Sequence, residues 1–213
     1  MCLNKDKDNE VYRFNSSTHG SHAIVINSVG KNKKVLDVGC NKGYLSHKFK
    51  ENGCHVVGIE ADSKCAEIAK EFCDEVLIGD IEQIETLSYP DSYFDAIVFA
   101  DILEHLKDPQ RVLLKLGKYL SPDGIIIVSL PNIARLDIRL RLLFGKFNYE
   151  EAGILDKSHL RFFTLVTAKN LIQDSGYQIL HINYSGSFST FLRLLPAYFA
   201  FQFIIIAEKH KNA

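Results

Sequence analysis

Between residues 34 and 130 the sequence alternates short apolar runs with longer amphipathic runs. The apolar runs are KVLDV (34–38), HVVGIE (55–60), EVLI (75–78), FDAIVFA (94–100) and GIIIVSL (124–130). Patterns with helical spacing separate them at 44–52, 62–72 and 109–119. Strands and helices that alternate in this way form a parallel sheet with helices on both faces. The sequence therefore predicts an α/β fold.

The flanking segments complete this fold. A helix at 17–29, closed by Gly30, precedes the first strand, and an amphipathic helix at 135–147 follows the fifth. A helix at 167–175 leads to strands at 177–184 and 201–208, and no helix is expected between those two strands. We therefore expect seven strands, mostly parallel, with an antiparallel edge strand. One domain spans residues 1–213, with residues 131–163 inserted as a lid or acceptor segment.

Composition excludes several partners. The formal net charge is −1 and the pI is about 6.7, and no basic stripe with interleaved aromatic residues occurs outside the helix at 135–147. We therefore expect no nucleic acid partner. The apolar run near the end contains Arg193, Pro196 and Gln202, so we expect core packing and no stable membrane insertion.

The cysteines and the first residues bear on the compartment. The five cysteines are odd in number and contain no CxxC pair, so neither a disulfide framework nor a zinc site is predicted. The first ten residues are polar and lack the apolar core of a signal peptide. We expect a cytoplasmic location, and the sequence predicts no oligomeric state.

A glycine loop, GCNKG at residues 39–43, follows the first strand. Gly39 and Gly43 allow the backbone to approach a ligand closely, and Asn41 tolerates a left-handed conformation. Ligands of open α/β sheets bind beyond the carboxyl ends of the strands, where this loop falls. Many such sheets need a tight turn here for packing alone, so the loop by itself is weak evidence.

Acidic residues at the neighbouring strand ends strengthen the prediction. Glu60 ends the second strand and suits the two hydroxyls of a ribose, while Asp80 and Asp101 follow the third and fourth strands. Asp37, two residues before Gly39, could face a cationic amine, which favours a cofactor with an amino acid end such as S-adenosylmethionine. The alternatives are that Asp37 satisfies loop amides, Glu60 is a solvated strand end and Asp80 caps a turn.

Residues 34–130 resemble a class I S-adenosylmethionine-dependent methyltransferase, a Rossmann-like fold. The segments that carry the resemblance are VLDVGCNKG, GIEAD, GDIE, FDAIVFADILEHL and LSPDGIIIVSLPN. It implies that Asp37 and Gly39 hold the methionine part, Glu60 the ribose, and Asp80 with the Ile81 backbone the adenine. The family usually has a third glycine where Asn41 stands. The full set of cofactor residues expected is Asp37, Gly39, Cys40, Asn41, Gly43, Tyr44, Glu60, Ala61, Asp80, Ile81, Ala100 and Asp101.

The segment DILEHL supplies the candidate base. On an α-helical turn, Asp101, Glu104 and His105 would share one side, next to the fourth strand. His105 then acts as a general base for a hydroxyl acceptor, with Glu104 beside it. The alternative is a capping box in which Asp101 caps the turn and Glu104 reaches back.

A later histidine joins this segment through a second resemblance. DxxEH resembles the ExxEH segment of ubiquinone-biosynthesis O-methyltransferases and small-RNA 2'-O-methyltransferases, and SHLRFFT (158–164) resembles their later histidine segment. The resemblance implies His159 as a further catalytic residue. It also raises a weaker alternative in which Asp101, Glu104, His105 and His159 bind Mg²⁺. Otherwise His159 only fixes the loop, Thr164 caps the next helix, and Arg161 binds an acceptor anion or a strand-end carbonyl.

The acceptor is predicted only by class. Arg135, Arg139 and Arg141 on the helix at 135–147 either are solvated or clamp a phosphorylated acceptor. We expect methyl transfer (EC 2.1.1.-) to a small-molecule acceptor, a hydroxyl on a sugar, nucleotide sugar or quinone-type compound. The alternatives are a catalytically silent methyltransferase-like binding module and an NAD(P)-dependent oxidoreductase, which would need the G-x-G-x-x-G that this loop lacks.

Overall fold

The computed structural model describes residues 20–186 and 194–210. The seven strands there are β1 (Lys34–Val38), β2 (His55–Glu60), β3 (Glu75–Ile78), β4 (Phe94–Ala100), β5 (Leu120–Pro131), β6 (Tyr177–Ser185) and β7 (Gln202–Lys209). They form one sheet in the order β3-β2-β1-β4-β5-β7-β6. β1 to β5 are parallel, and β7 runs antiparallel to both β5 and β6. The predicted mixed sheet with a terminal antiparallel hairpin is confirmed.

The helices that the structure describes connect and cover these strands. They are α1 (Ser21–Val29), α2 (Tyr44–Glu51), α3 (Ser63–Ala69), α4 (Pro109–Gly117), α5 (Leu136–Leu143), α6 (Leu165–Asp174) and α7 (Pro196–Phe199), with a 3₁₀ turn at Leu103–His105. The short α7 lies between β6 and β7, where no helix was expected. Residues 17–19 of the first predicted helix lie outside the described residues.

Local sequence explains where several helices begin. The Asp62 side chain accepts the amides of Lys64 and Cys65 and so caps α3. Asp108 caps α4, whose first residue is Pro109. Thr164 and Thr167 form the capping box of α6, as the sequence predicted for Thr164.

Alternation along the strands divides the core between the two faces of the sheet. Val35 packs in a cluster with Val25 of α1 and Phe49 of α2, whereas its neighbour Leu36 packs in another with Leu113 of α4. Successive side chains of a strand point to opposite faces, so an apolar strand needs helices on both sides. This arrangement leaves the carboxyl ends of the parallel strands as the edge where loops converge.

The fifth strand begins earlier than expected. The strand was predicted to begin at Gly124, but β5 starts at Leu120 and includes the SPDG sequence. The register between β4 and β5 shifts between Phe94 and Ala96, so an irregular strand start accommodates these residues.

Candidate functional site

A cavity of about 400 Å³ opens at the carboxyl edge of β1 to β4. Of the expected cofactor residues, it is lined by Asp37, Gly39, Cys40, Asn41, Tyr44, Glu60, Ala61, Asp80, Ile81, Ala100 and Asp101. His105, the expected base, also lines it. Its volume lies in the range usual for small-molecule sites. The fold thus brings together residues that lie between positions 37 and 105 of the sequence.

The glycine loop, residues 39–43, has a left-handed backbone conformation at three positions. Gly39, Asn41 and Gly43 have φ values of 72°, 50° and 78°. A side chain on Gly39 would lie 2.7 Å from Ile102 Cδ1, and one on Gly43 would meet Phe72 and Ala69 at about 3.0 Å and 3.2 Å. Gly43 does not line the cavity, so its glycine is required by packing against the end of α3.

Asp37 is buried at the floor of the cavity. It is 2% exposed, and its Oδ2 accepts a 2.7 Å hydrogen bond from Ser46 Oγ. Burial raises the pKa of Asp37 to about 6, against an ordinary value of 3.8, and the nearby Glu60 adds to the increase. An uncompensated carboxylate there is costly, so the site favours a cationic partner for Asp37.

Glu60 fastens two loops to each other. Its Oε2 accepts the Asn41 amide and its Oε1 accepts the Asp62 amide, each at 2.9 Å. A carboxylate oxygen has two acceptor positions, so both oxygens can still accept bonds from hydroxyls in the cavity. The alternative of a merely solvated strand end does not account for these two bonds.

Asp80 and Ile81 form the far wall. Asp80 Oδ1 accepts the Glu82 amide at 2.8 Å, so the aspartate does cap the turn after β3, as one alternative held. Both residues nevertheless line the cavity, where Ile81 is 6% exposed and presents an apolar surface.

The sequence predicted that Asp101 would share a helix face with Glu104 and His105, but in the structure it does not. Its backbone is left-handed, with φ 53°, and its Oδ1 accepts bonds from Ser129 Oγ at 2.6 Å and Gln202 Nε2 at 2.7 Å. The turn that follows is 3₁₀ and starts beyond Ile102, without a capping side chain. The expected α-helical spacing was wrong because Asp101 has a left-handed backbone and its side chain is held by residues of β5 and β7.

Three of the expected residues converge at the part of the cavity wall that His105 lines. One ligand atom each from Glu104, His105 and His159 lies within 4.8 Å of the others, and the two imidazole rings pack edge to face at 4.8 Å between centroids. Asp101 is not part of this group. The contact joins two segments more than 50 residues apart in sequence, and the amides of Leu160 and Arg161 fasten it by donating to the Glu104 carbonyl.

The imidazoles are oriented by backbone carbonyls. His105 Nδ1 lies 3.2 Å from the Ser158 carbonyl oxygen, and His159 Nδ1 lies 3.2 Å from that of Ile154. A carbonyl oxygen only accepts, so each Nδ1 carries a proton and each Nε2 of the neutral ring keeps its lone pair. Burial and the neighbouring His159 lower the pKa of His105, which keeps it available as a base near neutral pH.

Glu104 is buried without a partner for its carboxyl group. It is 1% exposed, and neither side-chain oxygen accepts or donates a hydrogen bond within the described part of the chain. Burial, with Asp101 nearby, raises the pKa of Glu104 well above its ordinary value. Burial therefore favours the protonated form of this carboxyl group, which lies beside two imidazoles.

The outer wall of the cavity contains residues that sequence reasoning missed. These are His22, Leu45, Ile59, Gly79, Ile102, Leu106, Glu151, Asp156, Lys157 and Ser158. His22 comes from α1, and four others come from residues 131–163. Six of them lie next to expected residues along the chain. No local motif marks His22, Glu151, Asp156 and Lys157, which reach the cavity through tertiary packing.

The arginines of the acceptor segment are engaged within the chain. Arg139 Nε donates to the Ala134 carbonyl and its guanidinium lies over the Tyr198 ring, 4.5 Å from the centroid. Arg141 pairs with Glu150, and Arg161 donates to the Lys107 carbonyl, which lies in the loop before α4 and not at a strand end. These contacts stabilise the segment and weaken the prediction of an arginine clamp.

Comparison with known proteins agrees with this geometry. The family model described as "Methyltransferase domain" matches residues 25–182, which is most of the chain. The chain belongs to this methyltransferase family. The resemblance to class I S-adenosylmethionine-dependent methyltransferases is thereby confirmed.

Individual relatives are distant. An enzyme from Coxiella burnetii (strain Dugway 5J108-111) named ubiquinone biosynthesis O-methyltransferase is 31% identical over 105 residues, which cover 48% of this chain and 45% of that protein. A mitochondrial protein of the same name from Schizosaccharomyces pombe is 33% identical over 103 residues, or 46% and 37% of the two chains. The chain therefore spans less than half of these relatives.

Solved structures share the whole fold. A SAM-dependent methyltransferase from Archaeoglobus fulgidus superposes with a TM-score of 0.66 at 19% identity and covers 89% of this chain and 95% of its own. One from Methanosarcina mazei gives 0.63 at 20% identity, with coverage of 87% and 96%. At these identities the similarity shows the fold alone.

Within residues 20–186 and 194–210, none of the helices has the length and apolarity that spanning a membrane requires.

Proposed function

We propose that this chain transfers a methyl group from S-adenosylmethionine to a hydroxyl of a small-molecule acceptor. One observation carries the proposal: Asp37, Glu60 and His105 line a single cavity at the strand edge of a methyltransferase fold. An NAD(P)-dependent oxidoreductase has no comparable use for a buried carboxylate beneath the glycine loop. The cytoplasmic location expected from the sequence stays a prediction.

The cavity suits this cofactor in charge and shape. Asp37 would accept the ammonium of the methionine part, and Glu60 would accept the ribose hydroxyls with its remaining acceptor positions. The apolar surface of Ile81 would pack against the adenine. Gly39 lines the cavity without a side chain, and Ile102 occupies the space that a side chain there would need. The bound cofactor supplies an electrophilic methyl group on a sulfonium.

The chain itself supplies the base and the alignment. His105 Nε2 would take the proton of the acceptor hydroxyl, since Nδ1 is committed to the Ser158 carbonyl. His159 would hold the His105 imidazole by edge-to-face packing, with the Glu104 carboxyl group beside both rings. Asp101, fixed by Ser129 and Gln202, would bind the acceptor or the methionine part at the cavity wall.

Mg²⁺ is not part of the proposal. The three groups that come together offer two imidazole nitrogens and one carboxyl group, whereas Mg²⁺ prefers an octahedron of oxygen ligands. Asp101, which would have added an oxygen ligand, is engaged by β5 and β7 instead. We expect added Mg²⁺ to leave the activity unchanged.

Residues 131–163 are proposed as the acceptor segment. They supply Glu151, Asp156, Lys157 and Ser158 to the cavity wall. Sugars, nucleotide sugars and quinone-type compounds with a free hydroxyl are the acceptor classes to test, and the relatives' names support the last of these.

Calorimetric titration with S-adenosylmethionine, with NADH as the matched control, tests the first half of the proposal. Release of S-adenosylhomocysteine in the presence of each acceptor class tests the second. Cofactor binding without turnover on any of them would favour the silent binding module, and binding of NADH alone would refute the proposal.

A further inference from the structure

Two free thiols, one in the glycine loop and one near the end of α3, have no chemical role in the proposed reaction. Cys40 belongs to the loop and is 5% exposed, while Cys73 lies beyond the end of α3 and is partly exposed. A side chain built on Gly58 of β2 would lie 2.7 Å from Cys40 Sγ and 3.1 Å from Cys73 Sγ. Both sulfur atoms therefore border the same small space above β2.

Both cysteines are held in place by their backbone. The Cys40 amide donates to the Ile59 carbonyl at 3.1 Å, and the Cys73 amide donates to the Ala69 carbonyl at 3.0 Å. The loop and the end of α3 also touch directly, because Gly43 packs against Phe72. The two thiols thus face each other across a close contact between two ordered segments, and the absence of a side chain on Gly58 leaves room for both.

The two thiols are not equivalent. Interaction with Cys40 lowers the pKa of Cys73, while interaction with Cys73 and burial raise the pKa of Cys40. The thiolate is the reactive form of cysteine, and access to it determines where a reagent attacks. Cys73 is both more acidic and more exposed, which makes it the attacking thiol and Cys40 the resolving one.

We propose that Cys40 and Cys73 form a dithiol site that low-molecular-weight disulfides oxidise to an intramolecular disulfide. The Cys73 thiolate attacks one sulfur of the reagent, and the other sulfur leaves as a thiolate. Cys40 then loses its proton to solvent and attacks Cys73 Sγ, which expels the second reagent thiolate. Two protein thiols are oxidised, one reagent disulfide is reduced, and both leaving thiolates are protonated.

The site is connected to the cofactor cavity through its neighbours. Cys40 lines the cavity between Gly39 and Asn41. Ser46 donates to the Asp37 carboxylate at 2.7 Å and also interacts with Cys73, whose pKa it lowers. A bond between the sulfurs would draw the loop toward α3 and away from its position beside Asp37. For this part, which rests on the proposed function, oxidation weakens cofactor binding by about tenfold, the usual scale of such coupling.

Peptide mapping of the native full-length chain tests the dithiol site without any cofactor. The chain is incubated with oxidised glutathione, free thiols are alkylated under denaturing conditions, and the digest is analysed by mass spectrometry. We expect a peptide pair joined by Cys40 and Cys73 that a reductant separates. In C40S the reaction should stop at a glutathione adduct on Cys73, and in C73S Cys40 should react slowly because it is buried.

C54S is the matched control. Cys54 is buried to 3% exposure at the other end of β2, with its Sγ 3.8 Å from the Gly30 carbonyl, so this variant should form the cross-link as the wild type does. Alkylation of both Cys40 and Cys73 in the oxidant-treated wild type, or a stable adduct on Cys73, would overturn the dithiol site. The wild-type map suffices even where a serine variant fails to fold.

Titration of oxidised and reduced protein with S-adenosylmethionine tests the connection to the cavity. The oxidised form should bind about tenfold more weakly and recover with reductant, and by reciprocity saturating cofactor should slow or disfavour cross-linking to a similar degree. Equal affinities in the two forms would refute the connection and leave the cross-link intact. Absence of binding in both forms would refute the proposed function instead.

Discussion

The carboxyl edge of β1 to β4 and the acceptor segment at residues 131–163 are built by opposite means. At the strand edge Asp37 is 2% exposed, and both carboxylate oxygens of Glu60 accept backbone amides. In the acceptor segment every residue from 141 to 153 is exposed, including Leu143 at 76% and Phe144 at 74%. One region is fixed by buried hydrogen bonds, and the other presents apolar side chains to solvent.

This difference indicates that the two regions have different functions. A site whose polar groups are already oriented binds one ligand with little further ordering, and we propose the cofactor for that edge. An exposed apolar segment gains most from being covered, which fits a wall that closes over the acceptor. Changes at the strand edge should therefore abolish binding or chemistry, whereas changes in the segment should alter acceptor use more than stability.

The largest effect is expected for H105Q, which removes the proposed base at the boundary between the two regions. The turnover number should fall at least about a hundredfold, with cofactor affinity unchanged, because general base catalysis typically contributes that much. Turnover and calorimetry on the same preparations measure this. H181Q, at an exposed position on β6, is the matched control and should behave as the wild type. Unchanged turnover in H105Q would exclude His105 as the base.

D37N should have the next largest effect. Loss of the charge that faces the ammonium should weaken S-adenosylmethionine binding about ten- to a hundredfold, the usual cost of losing a hydrogen bond to a charged group. D95N removes another aspartate, one that accepts the Lys34 amide at the opposite end of the sheet, and should leave the affinity unchanged. Equal losses in the two variants would mean that D37N acts through folding.

The pH dependence of cofactor affinity also tests whether Asp37 faces the ammonium group. The pKa of Asp37 is about 6, and a bound ammonium favours the ionised carboxylate, so binding should release a proton below that pH. Affinity should rise about tenfold from pH 5 to pH 7 in the wild type and stay flat in D37N. Calorimetry at several pH values measures this, and a flat wild-type profile would place the ammonium elsewhere.

E104Q should lower the activity and raise the stability of the folded chain at high pH. The pKa of Glu104 in the folded chain lies well above the ordinary 4.5. The buried carboxyl group therefore costs no stability below about pH 4.5, and it lowers the free energy of unfolding increasingly as the pH rises. The variant should gain at least about 1 kcal/mol of unfolding free energy at pH 8 relative to its difference at pH 5, since each pH unit is worth about 1.4 kcal/mol.

Urea unfolding at the two pH values measures this gain, and E71Q at an exposed position is the control. A loss of stability at pH 8 would show that the Glu104 carboxylate has a partner.

The smallest effect on stability is expected for L143S combined with F144S. Both side chains are largely exposed, so the free energy of unfolding should change by less than about 0.5 kcal/mol. The Michaelis constant of the acceptor should rise while cofactor affinity stays the same. The double variant L114S with V166S, exposed on α4 and α6, is the control. An unfolded L143S/F144S protein would show that the segment is part of the core.

The sequence predicted the residues at the carboxyl edge of the strands better than it predicted the rest of the site. The strands at 34–38, 55–60, 75–78 and 94–100 were predicted with the observed bounds, because continuous apolar runs between turn residues leave few alternatives. The positions of Asp37 and Glu60 followed from those bounds. These features depend on neighbours in the sequence.

What the sequence missed depends on distant contacts. The left-handed turn at Asp101 is held by Gln202, 101 residues away, so an α-helical spacing was assumed for DILEHL and was wrong. Gly43 was expected to bind the cofactor, yet it packs against Phe72 beyond the next strand. His22 carries no local signal, because α1 reaches the cavity only when the sheet has formed.

The structure of this chain crystallised with S-adenosylhomocysteine, the demethylated form of the cofactor, tests the central proposal most directly. We predict density along the tips of β1 to β3, with the ammonium at Asp37, the ribose hydroxyls at Glu60 and the adenine against Ile81. Density for the compound anywhere else, or an empty cavity in crystals grown at a saturating concentration, would contradict it.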